Sequence, residues 1–349
     1  MIKLKDIAKK CGVSIATVSK SLKDDPEISE KTKIKVREVA SKLGYVPNAS
    51  ARSLKTNRSY NIGILFVDEA NSGLKHEYFS SILNAIKVDA ESKGYDITFI
   101  SESVKNYKSY YEHARYRNVD GVVIACVDFR DPQVIRLVES EIPTVTIDYV
   151  YNNSTAIMSD NTSGVETLVR HAYNKGHRKI AFITGEAASD VTKKRLAGYY
   201  KAISDLGLPS TSLYIKPARY ITPGPSGLAT RELLALPLDQ RPTCILYPDD
   251  YAILAGITEI EKHGLIVGKD VSIAGYDGSM ISRLLRPVLT TYHQNTDEIG
   301  RLASEKLINV IENPQFFVPE QVVVKGQLQE GKTITSFNDV KVTSKIRAN

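Results

Sequence analysis

From residue 62 to residue 276 this chain alternates between short apolar runs and longer amphipathic stretches, and that alternation limits its fold more than any other feature. The runs 62–67, 97–100, 122–127, 144–148, 180–184, 243–246 and 271–276 have the length and continuous hydrophobicity of strands buried on both faces. Between them, 78–93, 163–175, 193–206 and 251–263 repeat apolar residues at helical spacing. Gly94, Gly176, Gly207 and Gly264 follow these four stretches and mark helix ends. Such alternation predicts doubly wound α/β structure with mainly parallel sheets. It recurs in 60–160 and in 163–292, so two similar lobes are expected.

The first 58 residues follow a different pattern. They hold 14 Lys and Arg against 6 Asp and Glu, a surplus of eight, whereas the whole chain carries only +6. A basic segment on a near-neutral body is the electrostatic footprint of a nucleic-acid-binding head. A solvated basic tail is the bland alternative, but this segment is patterned. Leu4, Ile7, Ala8 and Cys11 share one helical face, Gly12 suits a left-handed cap, and Ser14 suits the N-cap of a second helix, 15–22. In that helix Val18 and Leu22 face inward and leave Ile15, Ala16, Thr17, Ser19 and Lys20 largely outside. Asp24-Asp25-Pro26 breaks the chain, and Ser29 caps a third helix with Val36, Val39, Ala40 and Leu43 on its inner stripe. Together these make an all-α helix-turn-helix unit.

Four spaced blocks carry a resemblance: Leu4-Lys5-Asp6-Ile7-Ala8, Gly12-Val13-Ser14-Ile15-Ala16-Thr17-Val18-Ser19, Gly44-Tyr45-Val46-Pro47-Asn48 and Ala51-Arg52-Ser53-Leu54. In this order they resemble the lactose-repressor/galactose-repressor (LacI/GalR) family of bacterial transcription regulators. The resemblance implies a second helix in the DNA major groove, with Ile15, Ala16 and Lys20 toward base edges and Thr17 and Ser19 toward phosphates. Hydroxyls can donate to phosphate oxygens and Lys20 can reach a guanine edge, whereas Ile15 and Ala16 offer only apolar contact. Ile15 as plain core is the competing reading. The resemblance also implies a hinge helix over 48–55, in which Asn48 is the N-cap, Arg52 belongs to the Ala-Arg-x-Leu block, and Leu54 wedges into the minor groove beside its partner copy. An eight-residue helix is marginal in water, so it is expected to form only with DNA and a partner hinge present.

The rest of the chain resembles the same family's effector-binding core, which is similar to periplasmic sugar-binding proteins. Gly121-Val122-Val123, Asn174-Lys175-Gly176-His177-Arg178, Arg195-Leu196-Ala197-Gly198-Tyr199, Gly275-Tyr276-Asp277 and Leu289-Thr290-Thr291-Tyr292-His293-Gln294 carry the likeness. It implies a helix-turn-helix domain at 1–47, a hinge at 48–58, and a core at 59–349. Lobe 1 is expected at about 59–161 and 293–319, and lobe 2 at about 162–292 and 320–338, with crossings near 161, 292 and 319. The resemblance places the effector against Tyr78, Phe79, Asp148, Arg195, Asp249 and Asp277. Carboxylates accept from paired hydroxyls and Arg offers a planar donor fork, which suits a polyhydroxylated ligand. The alternatives are helix caps for Asp249 and Asp277, a lobe bridge for Arg195, and core for Phe79. The chain has no Trp to stack on a ligand, Thr222 stands near that place, and Ser189 stands where the purine-responsive branch carries Arg. A neutral sugar is therefore expected over a purine or phosphorylated effector.

Other classes lack their signatures. Dinucleotide, P-loop, zinc-protease and nucleophile-elbow motifs are missing, so neither catalytic residues nor a cofactor nor a metal site is assigned. Cys11, Cys126 and Cys244 are isolated, and no run approaches the ~18 apolar residues of a membrane span. The N-terminus has no apolar signal segment, which sets aside a secreted sugar-binding or transport protein of the same lobed fold. The expectation is a cytoplasmic homodimeric repressor of carbohydrate-utilisation genes, binding palindromic operator DNA and switched by a sugar-like effector.

Overall fold

The computed structural model describes residues 2–46, 58–67, 73–101 and 109–337. It divides into two compact units, 1–59 and 60–349.

In the first unit, α1 (Leu4–Cys11), α2 (Ile15–Leu22) and α3 (Glu30–Lys42) surround a small core of Ile7, Ala8, Cys11, Val18, Val36 and Ala40. The local chemistry sets the helix ends. Gly12 closes α1 at φ 66°, and the Ser14 and Ser29 hydroxyls accept from the Thr17 and Thr32 amides at 3.0 and 3.4 Å. The Asp24 carboxylate then ties the turn after α2 to α3, meeting Arg37 at 2.7 Å and Lys33 at 3.1 Å.

The second unit holds two six-stranded sheets. The first lobe starts with β1 (Asn61–Phe66), α4 (Glu77–Ser92), β2 (Asp96–Ile100), α5 (Tyr110–Arg117), β3 (Gly121–Ala125), α6 (Pro132–Val138), β4 (Thr144–Ile147) and β5 (Thr155–Ser159). The second holds α7 (Asn161–Asn174), β6 (Ile180–Thr184), α8 (Asp190–Asp205), β7 (Ile215–Pro217), α9 (Pro223–Leu234), β8 (Cys244–Leu246), α10 (Ile253–Lys262), β9 (Ser272–Asp277), α11 (Met280–Leu284) and β10 (Thr290–His293). Then α12 (Thr296–Glu312) and β11 (Gln321–Val324) return to the first lobe, and β12 (Gln327–Gln329) joins the second.

The strand orders are β11-β5-β4-β3-β1-β2 and β12-β10-β9-β8-β6-β7, parallel throughout except for β12 against β10. Helices α4 and α12 cover one face of the first sheet through Ile82, Ile86, Ile299, Ala303 and Leu307. Helices α7 and α8 cover one face of the second, approaching so closely that a Cβ on Gly198 would lie 2.1 Å from the Thr162 carbonyl oxygen.

One boundary needs correction. The third crossing lies between Val324 and Gln327 rather than near 319, because β11 pairs in register with β5, Val322 opposite Ile157. Residues 320–324 therefore belong to lobe 1. The hinge expected at 48–58, with Asn48, Arg52 and Leu54, lies outside the described residues apart from Arg58.

Candidate functional site

On α2 the outer face is the one expected to read DNA. Ile15 is 52% exposed, so the core reading of this residue is set aside. Ala16 and Lys20 are exposed beside it, and Ser19 is half-buried. The Thr17 hydroxyl pairs with the Ser14 hydroxyl at 2.9 Å, and the Lys20 ammonium is held by Glu27.

In the second unit the candidate residues gather where the strands end and the lobes meet. Asp148 follows β4 at φ 61°, Asp277 closes β9 at φ 101°, Cys126 follows β3 at φ 53°, and Ile221 precedes α9 at φ 56°. For a β-branched residue such as Ile221 this backbone is strained, costing about 1–3 kcal/mol, and strain of this kind gathers at functional sites.

The first lobe contributes a compact hydroxyl–carboxylate knot. Tyr78, in the first turn of α4, donates to Asp148 Oδ2 at 3.0 Å and meets the Ser159 hydroxyl at 2.9 Å, while the Ser159 amide donates to Asp148 Oδ1 at 2.6 Å. Burial raises the Asp148 carboxyl, against the pull of Ser159, Tyr78 and the Arg195 charge. The Tyr78 phenol is pushed well above its usual range by burial and by the Asp148 charge. Phe79, half-buried, packs edge-on against Phe66 at 5.5 Å beside the core of the first sheet and against Tyr78 at 4.9 Å. Beside Asp148, Phe129 and Tyr149 stack at 4.5 Å.

The second lobe contributes a buried guanidinium. Arg195, 5% exposed, donates Nε–H to Asn161 Oδ1 at 2.8 Å and Nη1–H to the Pro248 carbonyl at 2.6 Å. Its carbon lies 3.6 Å from the Tyr276 ring centroid and 5.4 Å from that of Tyr220, while Nη2 stands 3.7 Å from Asp277 Oδ1. Burial opposes this charge, but the oxygens of Tyr220, Tyr276, Asp277 and Tyr78 more than offset it and hold the pKa above its ordinary value. Asp277 Oδ1 also accepts from Gln294 Nε2 at 2.7 Å. Its Oδ2 has no partner among the described residues.

Asp249 is engaged by backbone amides just ahead of α10, whose N-cap is Ala252. Only 1% exposed, it accepts from the Tyr251 and Ala252 amides at 2.8 and 2.7 Å and from the Ile221 amide at 2.6 Å, so it pins the strained loop to the start of α10. Turning toward a ligand would strand three N–H groups, that of Ala252 fully buried. Burial, and then the Asp277 charge, push its carboxyl up to about 7 against these donors. Unfolded, it titrates near 3.8. A pKa raised on folding stabilises the fold below about pH 4, and that contribution is lost as pH rises through about 7. Wild-type protein should therefore lose stability relative to Asp249→Asn between those values. Urea midpoints of both proteins across that range check this, and a constant difference would contradict it.

These groups border a cavity of about 80 Å³ lined by Lys75, His76, Glu77, Tyr78, Ile221, Asp249, Tyr251, Asp277 and Ser279. Asp148 stands behind Tyr78 and Arg195 behind Asp277, so both hold lining groups in place. Glu77 and Tyr251 were missed by sequence reasoning, because no local pattern joins residues so far apart in the chain. A larger hollow of about 300 Å³, between Lys306 and Phe316, holds none of these groups. No helix of the described residues is long and apolar enough to cross a membrane.

Comparison with known proteins agrees with this layout. Residues 3–48 match the bacterial regulatory proteins of the lacI family, and residues 169–334 match the periplasmic binding protein-like domain. The chain is 30% identical over 319 residues to the HTH-type transcriptional repressor PurR of Aliivibrio fischeri, covering 90% of this chain and 93% of that protein. It is 28% identical over 349 residues to the repressor PurR of Escherichia coli, covering 98% and 100%. The Lac repressor dimer bound to operator and the anti-inducer ONPF has a TM-score of 0.79 at 25% identity, over 96% of this chain and 99% of that one. The complex of the transcriptional regulator CelR with cellobiose has the same fold, with a TM-score of 0.69 at 23% identity over 95% and 100%. These relatives are regulators rather than enzymes, and the chain belongs to the lacI family of bacterial DNA-binding transcriptional repressors.

Proposed function

We propose that this repressor acts in the cytoplasm as a homodimer on a two-fold symmetric operator and is switched by a neutral, hydroxyl-rich effector, a sugar, held between the lobes. Tyr78, Asp148, Arg195 and Asp277 would bind or position it, and carbohydrate-utilisation genes would be its targets. The observation that carries this reading is the donor–acceptor set of the cleft. Asp277 has an unused carboxylate oxygen, and Arg195, the one buried cation among these groups, donates Nε–H to Asn161 and Nη1–H to the Pro248 carbonyl and faces Asp277 at 3.7 Å. Such a site has carboxylate acceptors to offer the hydroxyls of a sugar. Cellobiose in the CelR complex is in keeping with it. A purine corepressor is the second reading, and the 30% identity to the repressor PurR favours it.

On the head, Ile15, Ala16 and Lys20 would meet base edges, and Thr17 and Ser19 phosphates. Asn48, Arg52 and Leu54 would form the hinge helix. Selecting double-stranded sites from a random library with the full chain should return a palindrome. Against that site Lys20→Ala should lose about 1–3 kcal/mol of affinity, mostly at one base position. Equal affinity, with unchanged base preference, would remove Lys20 from the reading face. Saturating neutral sugars, at about 100 times their Kd, should raise the unfolding free energy by about 2.7 kcal/mol. Stabilisation by purines alone would give the second reading its place.

A further inference from the structure

Helix α2 carries a single charged side chain, Lys20, and a carboxylate from outside the helix comes up to meet it. Glu27, in the turn ahead of α3, pairs with the Lys20 ammonium through Oε2. Both side chains lie largely in water, 45% and 70% exposed, so the pair adds little to the stability of the head. The turn that presents Glu27 is fixed to the end of α2. The Asp25 amide donates to the Lys20 carbonyl at 3.1 Å, and Asp25 Oδ1 accepts from the Glu27 amide at 3.0 Å. Neighbouring acidic groups are used within the head, Asp24 on Lys33 and Arg37, and Glu30 on Lys33. Glu27 instead sets a negative charge against the outward cation of a helix in a strongly basic segment.

We propose that Lys20 and Glu27 act as one reading unit for a G·C base pair, with Glu27 as a specificity-determining residue. The proposal rests on the reading of α2 as the helix that enters the major groove. A carboxylate at that face is repelled by phosphates, so it weakens binding to DNA in general. Only a base amine can offset this, and in the major groove the amines are cytosine N4 and adenine N6. The ammonium and the carboxylate together present donors next to an acceptor. A G·C edge presents the converse, guanine O6 and N7 as acceptors next to the cytosine N4 amine. Lys20 can donate to the guanine while Glu27 accepts from its paired cytosine, and each steadies the other. On an A·T pair in the same placement, Lys20 faces the adenine N6 amine and Glu27 faces thymine O4, like against like. Glu27 thus turns a cation that any phosphate would attract into one committed to a base edge.

Selection of double-stranded sites from a random library with the full chain, followed by affinities for single-pair variants, tests the unit. Wild type should prefer G·C over A·T at one pair of each half-site by about tenfold or more. Lys20→Ala and Glu27→Ala should both lose most of that preference, and at the same pair. Glu27→Gln keeps one acceptor oxygen and gains an amine, so its preference there should move toward adenine, which an amide pairs well. On unrelated DNA the two alanine variants should diverge. Lys20→Ala should bind more weakly, whereas Glu27→Ala should bind more tightly, its slope of log Kd against log salt steeper by about one as the freed ammonium takes a phosphate. Wild-type base preference in both Glu27 variants would leave Lys20 as sole reader and overturn the proposal. So would a loss at a different pair from that of Lys20, or an equal loss on all DNA with preference unchanged. Wild-type preference in Lys20→Ala would overturn the reading of α2 itself, and the proposal with it, so the two failures are told apart.

Discussion

Arg195→Ala should abolish the response to effector and destabilise the second unit by about 3–5 kcal/mol, the range for removing one partner of a buried charge pair. The guanidinium is enclosed by Tyr276 and Tyr220 and supplies hydrogen bonds to Asn161 and Pro248 as well as the positive charge beside Asp277. Its loss leaves an amide oxygen and a carbonyl without their donor and Asp277 without its countercharge. Asp148 also loses the cation that draws its carboxyl down. Arg195→Lys keeps the charge but not the planar fork, and one ammonium cannot reach all of these acceptors with the same geometry. Lys should therefore restore part of the stability and little of the effector response. Urea unfolding measures the first. Thermal shift with sugar, in conditions where each variant is folded, measures the second. A response equal to wild type in Arg195→Ala would remove this residue from the site.

A comparable loss is expected in the first unit from one core methyl-bearing side chain. Ile7 is fully buried among Ala8, Cys11, Val18, Val36 and Ala40, and Ile7→Ala should cost about 2–5 kcal/mol. A unit of this size seldom has more than about 3–5 kcal/mol to lose. The variant's three helices should melt near room temperature, and operator affinity should fall to the non-specific level. The second unit has its own cores and should keep its calorimetric transition. Operator affinity within twofold of wild type would show that the head does not depend on this packing.

The parts of the fold legible in the sequence are those with strong local chemistry. Ser14, Ser29 and Gly12 mark their helix ends, and Val18 and Val36 mark inner faces, so the head follows from caps and periodicity. Strands such as β1, β3 and β6 are continuous apolar runs and could be read directly. Helix α9 opens with Pro223-Gly224-Pro225-Ser226-Gly227, which reads as loop, although proline fits the first turn of a helix where its missing N–H is not needed. Helix α5, Tyr110–Arg117, has almost no apolar stripe, and β7 and β12 are three residues each, too short for periodicity to register. The placement of β11 depends on pairing with β5, more than 160 residues earlier, and no local pattern reports that.

The cleft divides in the same way. Asp148 and Asp277 end strands and Arg195 sits in a recognisable block, so they could be named in advance. That Asp249 is spent on three backbone amides is a fact of folded geometry. Glu77 accepts from the Tyr251 hydroxyl and the Met280 amide, 174 and 203 residues away, and only the folded lobes bring them together.

The measurement that bears most directly on the whole account is operator affinity of the full chain, by fluorescence anisotropy, with and without saturating neutral sugars. A sugar that stabilises the protein should change the operator Kd by about 5- to 150-fold, the usual range of coupling between two sites, and should leave Arg195→Ala unaffected. A sugar that binds yet leaves operator affinity unchanged, or a purine that alone moves it, would contradict the account.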